Sequence, residues 1–140
     1  MTSTKLLFRA LLLSLLLVTT MRVAFVDAAT DVSGRWSGTF HSNHSEVAPF
    51  TITVVITPNS QGHLVGSSEL NSKCLKGAQL EVKVTGSEVV LAGSDKDGNT
   101  MTVRGTLDNT GTLLKSAYIL NGSATGGCET DDGTGTLNRQ

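Results

Sequence analysis

The sequence predicts an all-β domain: a single eight-stranded antiparallel up-and-down barrel, or a flattened barrel or sandwich closely related to it. Apolar and polar residues alternate with a period of two through most of the chain after residue 29, which is typical of half-buried strands. Glycines recur on the same strand face as large apolar residues. Long and short connections follow each other in turn, as they do when a sheet meanders.

The recurring glycines favour a closed sheet. In five stretches a glycine lies two positions from an apolar residue, and it shares that residue's face because side chains alternate across a strand. These glycines are Gly38, Gly66, Gly86, Gly105 and the pair Gly133 and Gly135. Glycine in a strand marks a bend or a close backbone approach, and its repetition on the inward face curls a small sheet until it closes. We expect a solidly packed interior, with a small apolar pocket as the alternative.

The first four strands follow from the alternation. Trp36 and Phe40 share a face of the first, Phe50 begins the clearest alternation in the second, Leu64 begins the third, and Leu80 alternates with charged residues in the fourth. The predicted spans are 34–41, 50–57, 63–70 and 79–85.

The last four strands are predicted at 88–92, 99–107, 112–120 and 133–138, with Met101 and Val103 alternating against Thr102 and Arg104 in the sixth. The residues that we expect to face inward are Phe40, Ile52, Val54, Leu64, Ser68, Leu80, Val82, Met101, Val103, Ala117 and Ile119.

The connections predict one elaborated end. The second, fourth and sixth are tight turns, and the first, third, fifth and seventh are mostly longer: 42–49, 71–78, 93–98 and 121–132. Alternate connections of a meander emerge at opposite ends, so the longer ones gather at one end. Cys74 and Cys128 both fall there, and we predict a disulfide worth on the order of 4 kcal/mol in the chain-entropy model. A reactive thiol is the alternative.

Residues 1–28 are interpreted as a signal peptide. Lys5 and Arg9 precede an apolar run over 10–18, and the segment ends at Val26-Asp27-Ala28, which fits cleavage after Ala28. Only 12 residues separate Arg9 from Arg22, too few for the roughly 20 that a membrane span needs, although an uncleaved anchor is the alternative. We therefore expect one domain, residues 29–140, in a secreted or periplasmic (extracytoplasmic) protein.

The charge of the predicted domain excludes some partners. Of the 11 basic and 12 acidic residues, three basic and one acidic lie in 1–28, which leaves a net charge of −3 (8 against 11). No basic field is available for nucleic acid or anionic lipid. We expect no nucleic-acid partner and no membrane span after cleavage of the signal peptide.

The segment Gly34-Arg35-Trp36 resembles the Gly-x-Trp first strand of the lipocalin and avidin superfamily. The resemblance implies an up-and-down barrel whose closed end is plugged by Trp36. Avidin-type biotin binding uses further tryptophans, and Trp36 is the single tryptophan here, so biotin is not expected. Through Gly127-Cys128-Glu129 and the stretch 133–137, the chain also resembles small exported bacterial β-proteins.

Few residues predict chemistry. His41 and His44 lie three apart, but a zinc site needs three or four ligands and His63 falls at the opposite end. Asp95, Asp97 and Asn99 resemble the beginning of a calcium loop, yet Thr106 stands where the bidentate glutamate belongs, so a hairpin turn is favoured. Asp131 and Asp132 are read as a turn too. We expect no cofactor and no metal, and the residues predicted to face inward include no ionisable pair that burial could tune into acid and base roles.

We therefore predict an exported, non-catalytic binding module that contacts a small apolar ligand or a protein at its long-loop end. The candidate binding residues are His41, Asn43, His44, Lys73, Asp95, Asp97 and Asn121. A structural or inhibitory surface protein with a solid barrel is the alternative. A hydrolytic enzyme would require His41, His44 and Glu46 or Asp95 to converge. Oligomers are expected through sheet edges if the barrel is open.

Overall fold

Eight antiparallel strands form one closed barrel in the computed structural model, which describes residues 30–70 and 74–140. The strands are β1 Gly34–Ser42, β2 Phe50–Pro58, β3 Leu64–Leu70, β4 Ala78–Thr85, β5 Glu88–Ser94, β6 Thr100–Leu107, β7 Leu113–Asn121 and β8 Asp131–Arg139. Each strand pairs with its neighbour in sequence, and β1 pairs with β8 to complete the ring, with Phe40 opposite Gly135. The predicted fold class is confirmed.

The signal peptide predicted at 1–28 and the candidate residue Lys73 lie outside the described residues. Within the described part, no helix is long and apolar enough to cross a membrane. Every strand of the barrel pairs with another strand on each side. Within residues 30–70 and 74–140 the barrel therefore has no free sheet edge, which association through edges would require.

The beginning of β8 differs from the sequence prediction. Asp131 and Asp132 were expected in a turn, but they pair with Leu120 and Ile119 of β7 and begin the strand two residues early. Asp131 is buried. A carboxylate next to a glycine is typical of turns, and only its partners on the neighbouring strands make the extended, buried placement favourable.

Side chains fill the interior of the barrel. Phe40, Phe50 and Tyr118 pack together, with ring centroids 5.2 to 5.9 Å apart. Trp36 closes the other end of the core, where its Nε1 donates a hydrogen bond to the Val32 carbonyl at 2.9 Å and the Arg139 guanidinium stacks over its ring. Burial of such rings is the main apolar contribution to folding.

The inward face of β7 was predicted one residue out of register. Ala117 and Ile119 point outward, and Ile119 is 54% exposed. The buried residues of this strand are instead Leu114, Ser116, Tyr118 and Leu120. Because residues 117–120 are apolar on both faces of the strand, alternation alone does not show which face is buried. An error of one residue in the register then places every inward side chain outward.

Some of the inward glycines lie where a neighbouring strand or side chain leaves no room for a Cβ. A Cβ on Gly38 would overlap the backbone of Thr136 in β8, and a Cβ on Gly135 would overlap the ring of Phe40. Gly93, which the sequence analysis missed, lies equally close to the backbone of Gln79. Gly86 was wrongly grouped with these residues: it has a φ of 59° and lies in the β4–β5 turn.

The first, third, fifth and seventh connections lie at one end of the barrel, which we call the loop end. The Cys74–Cys128 disulfide joins the third connection to the seventh, with a Cα–Cα distance of 5.2 Å, so the predicted disulfide is confirmed. The first connection is joined to β8 by a hydrogen bond from the Asn43 amide to the Asp132 carbonyl at 2.8 Å. The tight turns after β2, β4 and β6 close the opposite end.

Candidate functional site

A depression of about 410 Å³ opens at the loop end, and we call it the loop-end pocket. It lies where the first and seventh connections meet the disulfide. The described residues that line it are His44, Glu46, Val47, Ala48, Phe50, Leu70, Cys74, Leu120, Gly127, Cys128, Glu129, Thr130 and Asp131. The pocket thus combines an apolar floor with an acidic rim.

Three strand ends supply the floor. Phe50 begins β2, Leu70 ends β3 and Leu120 is the last inward residue of β7, so each continues the inward face of its strand to the rim. Leu70 and Leu120 are each 8% exposed, and the Phe50 ring packs edge-on against Tyr118. The floor is therefore the uppermost layer of the barrel core, held by rigid strands.

The disulfide fixes one wall of the pocket. Cys74 is buried and is followed by Leu75, which is fully buried and adopts a left-handed backbone with a φ of 54°. A left-handed non-glycine residue costs of order 1–3 kcal/mol and persists only where its surroundings determine it. Here the buried side chain and the adjacent disulfide hold Cys74 and Leu75 against the barrel.

A buried carboxylate lies beside the floor. Asp131 is 6% exposed and accepts hydrogen bonds from Ser42 Oγ and from the Tyr118 hydroxyl, each at 2.5 Å. Burial alone would raise its pKa, but the hydrogen bonds from Ser42 and Tyr118 outweigh that effect and hold the pKa below its usual value. Burial and the neighbouring Asp131 carboxylate raise the pKa of Tyr118. The pair is therefore an ionised carboxylate and a neutral phenol at neutral pH.

Asp132 holds the first connection in place from the outer side. Its carboxylate accepts a hydrogen bond from Asn43 Nδ2 at 2.6 Å and lies 3.3 Å from His44 Nε2. Both side chains of the His44–Asp132 pair are about half exposed, so the contact between them contributes at most about 1 kcal/mol. The pair positions the loop that carries Glu46 and Val47 more than it stabilises the fold.

A second polar cluster joins the fifth and seventh connections. Asn99 is fully buried: its Nδ2 donates to Asp95 Oδ2 at 2.7 Å and to the Gly126 carbonyl at 3.2 Å, and its Oδ1 accepts from the Ser123 amide at 2.9 Å. Asp95 also accepts from the amides of Asp97 and Asn99. Burial opposes these hydrogen bonds, but they prevail and lower the pKa of Asp95.

The segment after β5 is accordingly a hairpin turn, the interpretation that the sequence favoured over a calcium loop. The Asp95 amide bonds to the Asn99 carbonyl at 3.0 Å, and Gly98 has a φ of 82°. Across residues 30–70 and 74–140, no group of three or more His, Cys, Asp and Glu side chains is arranged to hold a metal ion.

The predicted binding residues are not gathered into one site. Of those that the structure describes, His44 alone lines the loop-end pocket, with Asn43 beside it. Asp95 and Asp97 form the β5–β6 turn, and Asn121 ends β7 with its Nδ2 directed to Thr100 Oγ1 at 3.3 Å.

His41 is exposed on the outer wall of the barrel. It lines a shallow groove of about 1030 Å³ together with Thr39, Thr134 and other outward side chains. His41 and His44 therefore line different depressions. The carboxylate of Asp95 accepts hydrogen bonds from the backbone amides of its own turn. The convergence that an enzyme would require is not found among these residues.

The sequence analysis missed the Ser42–Asp131–Tyr118 group. The residues predicted to face inward included no ionisable pair, but the core contains one, formed by Asp131 and Tyr118. Two errors hid it: the register of β7 placed Tyr118 outward, and Asp131 was assigned to a turn. Lys115 was the signal that could have corrected the register: a lysine on β7 is expected to face solvent, and because side chains alternate along a strand, Tyr118, three residues later, must then face the core.

The site is thus an apolar pocket with an acidic rim, mounted on a barrel whose interior contains a core of buried side chains. Trp36 lies at the turn end, where the Gly-x-Trp resemblance implies a plug, but the relation to lipocalins and avidins stays a prediction. In comparisons with known proteins, no family model, no curated protein and no solved structure matches this chain.

Proposed function

We propose that this protein is an exported, non-catalytic binding module that holds its ligand in the loop-end pocket. The observation that carries the proposal is an open apolar floor, formed by Phe50, Leu70 and Leu120, beneath two connections that the Cys74–Cys128 disulfide joins to each other. A disulfide is consistent with an oxidising compartment outside the cytoplasm.

The size and rigidity of the pocket support binding of a small ligand. Its volume of about 410 Å³ falls within the range of about 300–1,000 Å³ that is typical of small-molecule sites. Side chains such as Phe40 and Tyr118 fill the barrel interior, which favours the rim over the lumen as the place of binding. Because the disulfide and the burial of Leu75 already fix this part of the wall, little conformational entropy would be lost there on binding.

The titration behaviour of the buried pair supports a non-catalytic role. A general acid or base works best when its pKa lies near the operating pH. Hydrogen bonds lower the pKa of Asp131, and burial raises that of Tyr118, so both groups move away from neutrality. Their arrangement stabilises a fixed charge and is poorly suited to proton exchange.

The test uses the oxidised protein secreted from the full-length chain and a panel of small apolar compounds, followed by amide chemical shifts. We expect shifts at Phe50, Leu120 and Cys128 and none at the turn-end residues Asn59 and Gly86, since only the former adjoin the pocket. The proposal is contradicted if ligands shift the turn end or the outer wall instead.

A pocket-filling substitution sharpens this test. Ala48→Trp places a large side chain on the rim of the loop-end pocket, and it should abolish the shifts. Ala117→Trp introduces the same side chain at an exposed position on the outer wall and should leave binding unchanged. Equal effects of the two substitutions would refute the location.

A further inference from the structure

We infer that the loop-end pocket selects a ligand that joins an apolar chain to a cationic group, that is, an organic amine with an aliphatic or aromatic tail. This inference rests on the proposed function and specifies its ligand class. It comes from the composition of the rim and from the surroundings of one buried carboxylate.

Among the described residues of the rim, acidic side chains outnumber basic ones. Three carboxylates, those of Glu46, Glu129 and Asp131, line the pocket, and the described lining contains no lysine or arginine. The one basic residue there, His44, contacts the Asp132 carboxylate at 3.3 Å. A cationic ligand would therefore meet attraction, and an anionic ligand would meet repulsion from several directions.

Asp131 strengthens this preference because its charge is buried. Its two hydrogen-bond donors, Ser42 Oγ and the Tyr118 hydroxyl, are both neutral, and neither supplies a positive charge. Two unit charges attract each other more strongly near a protein interior than in water, because the effective dielectric constant is lower there. The hydroxyl groups of Ser42 and Tyr118 donate hydrogen bonds to the Asp131 carboxylate but do not neutralise its negative charge, whereas an ammonium group at the pocket mouth would.

The floor supplies the second half of the recognition. Phe50, Leu70 and Leu120 form an apolar surface directly beside the carboxylates. Transfer of an alkyl chain onto such a surface contributes about 0.8 kcal/mol for each buried methylene group. A simple inorganic cation would gain nothing from this floor, and an uncharged hydrocarbon would gain nothing from the rim. An apolar amine uses both.

The experiment compares three ligands with the same six-carbon chain: hexylammonium, hexanol and hexanoate. Amide shifts of the secreted, oxidised protein are titrated at neutral pH and low ionic strength. We expect hexylammonium to bind about tenfold or more tightly than hexanol, with hexanoate weakest, and we expect added salt to narrow the difference. The shifts should appear at Phe50 and Cys128.

Matched charge variants separate the rim from the overall charge. Glu46→Gln combined with Glu129→Gln should remove most of the preference for hexylammonium over hexanol, because the rim loses two carboxylates. Glu81→Gln combined with Glu88→Gln removes the same charge from exposed positions on β4 and β5 and should preserve the preference.

The outcomes distinguish the two proposals. If hexanol or hexanoate binds at the loop end as tightly as hexylammonium, the inference on ligand class is overturned and the binding function stands. If none of the three ligands shifts the loop-end amides, both are overturned. If the two double variants lose the preference equally, the attraction comes from net charge, and the inference about the rim is wrong.

Discussion

At Gly38 the backbones of β1 and β8 approach so closely that no side chain fits between them. A Cβ there would overlap the carbonyl oxygen of Thr136, and backbone atoms of a paired strand cannot move aside without breaking the ladder. Gly66 occupies a comparable inward position on β3, but a Cβ there would lie 3.5 Å from Leu80, Val54 and Val82, which is ordinary van der Waals contact. Inward glycines therefore serve two different purposes.

We predict opposite outcomes for alanine at these two positions. Gly38→Ala should lower the free energy of unfolding by at least about 2 kcal/mol, because the methyl group forces β1 away from β8. Gly66→Ala should be neutral or stabilising by up to about 1 kcal/mol, because it restricts the unfolded chain without a clash. Chemical denaturation of both variants measures the difference, and equal destabilisation would contradict the role assigned to Gly38.

At the scale of the elements, the loop end is held by few but well-placed contacts. The disulfide joins the third and seventh connections, and the buried amide of Asn99 joins the fifth and seventh. Neither contact belongs to the barrel ladder. The rim of the loop-end pocket is thus ordered by cross-connections between loops, which explains how irregular segments present a defined surface on a small domain.

Removal of the Asn99 side chain should loosen this end selectively. Asn99→Ala leaves the Ser123 amide and the Gly126 carbonyl without their partner, so we expect a loss of about 1–3 kcal/mol and faster hydrogen exchange in 122–130. Asn109→Ala, at an exposed position in the turn at the opposite end, is the control and should change neither quantity. Unchanged exchange in the Asn99 variant would show that the disulfide alone orders the loop.

At the scale of the whole molecule, the stability of the folded barrel depends on pH through its buried pair, Asp131 and Tyr118. Hydrogen bonds hold the pKa of Asp131 below the ordinary value of 3.8, so ionised Asp131 stabilises the folded state. This contribution is complete above the ordinary value and is lost as the pH falls through the lower folded-state pKa. Tyr118 behaves in the opposite sense, since its raised pKa favours folding below about pH 10 and the benefit is lost as the pH rises further.

Tyr118→Phe tests both limbs of this pH dependence. The substitution removes one donor to Asp131, so the pKa of that carboxyl should rise toward its ordinary value and the acid-induced loss of stability should shrink. The alkaline loss due to the phenol should disappear. Denaturant unfolding from about pH 2 to about pH 11 measures both changes. A variant with the same profile as the unmodified protein would contradict the coupling.

Much of the architecture was predictable because it depends on local pattern. The alternation around Phe50 and Leu80 placed β2 and β4 within a residue of their observed bounds, and the order of long and short connections placed Cys74 near Cys128. The candidate site was predicted less well. His41 and Asp95 were selected for their chemical type, which carries no information about the direction in which a side chain points.

The sequence by itself determined the fold class, the number of strands, the end at which the loops gather and the disulfide, because alternation and turn chemistry are properties of neighbouring residues. Only the tertiary structure decided that Gly38 marks a contact between walls, that Tyr118 faces inward and that Asp131 is buried beside an apolar floor. The contact at Gly38 and the hydrogen bond from Ser42 to Asp131 depend on the register between β1 and β8, which are far apart in the chain, and the contact of Tyr118 with Asp131 depends on the register between β7 and β8. These registers are set by the packing of the closed barrel and are absent from any local pattern.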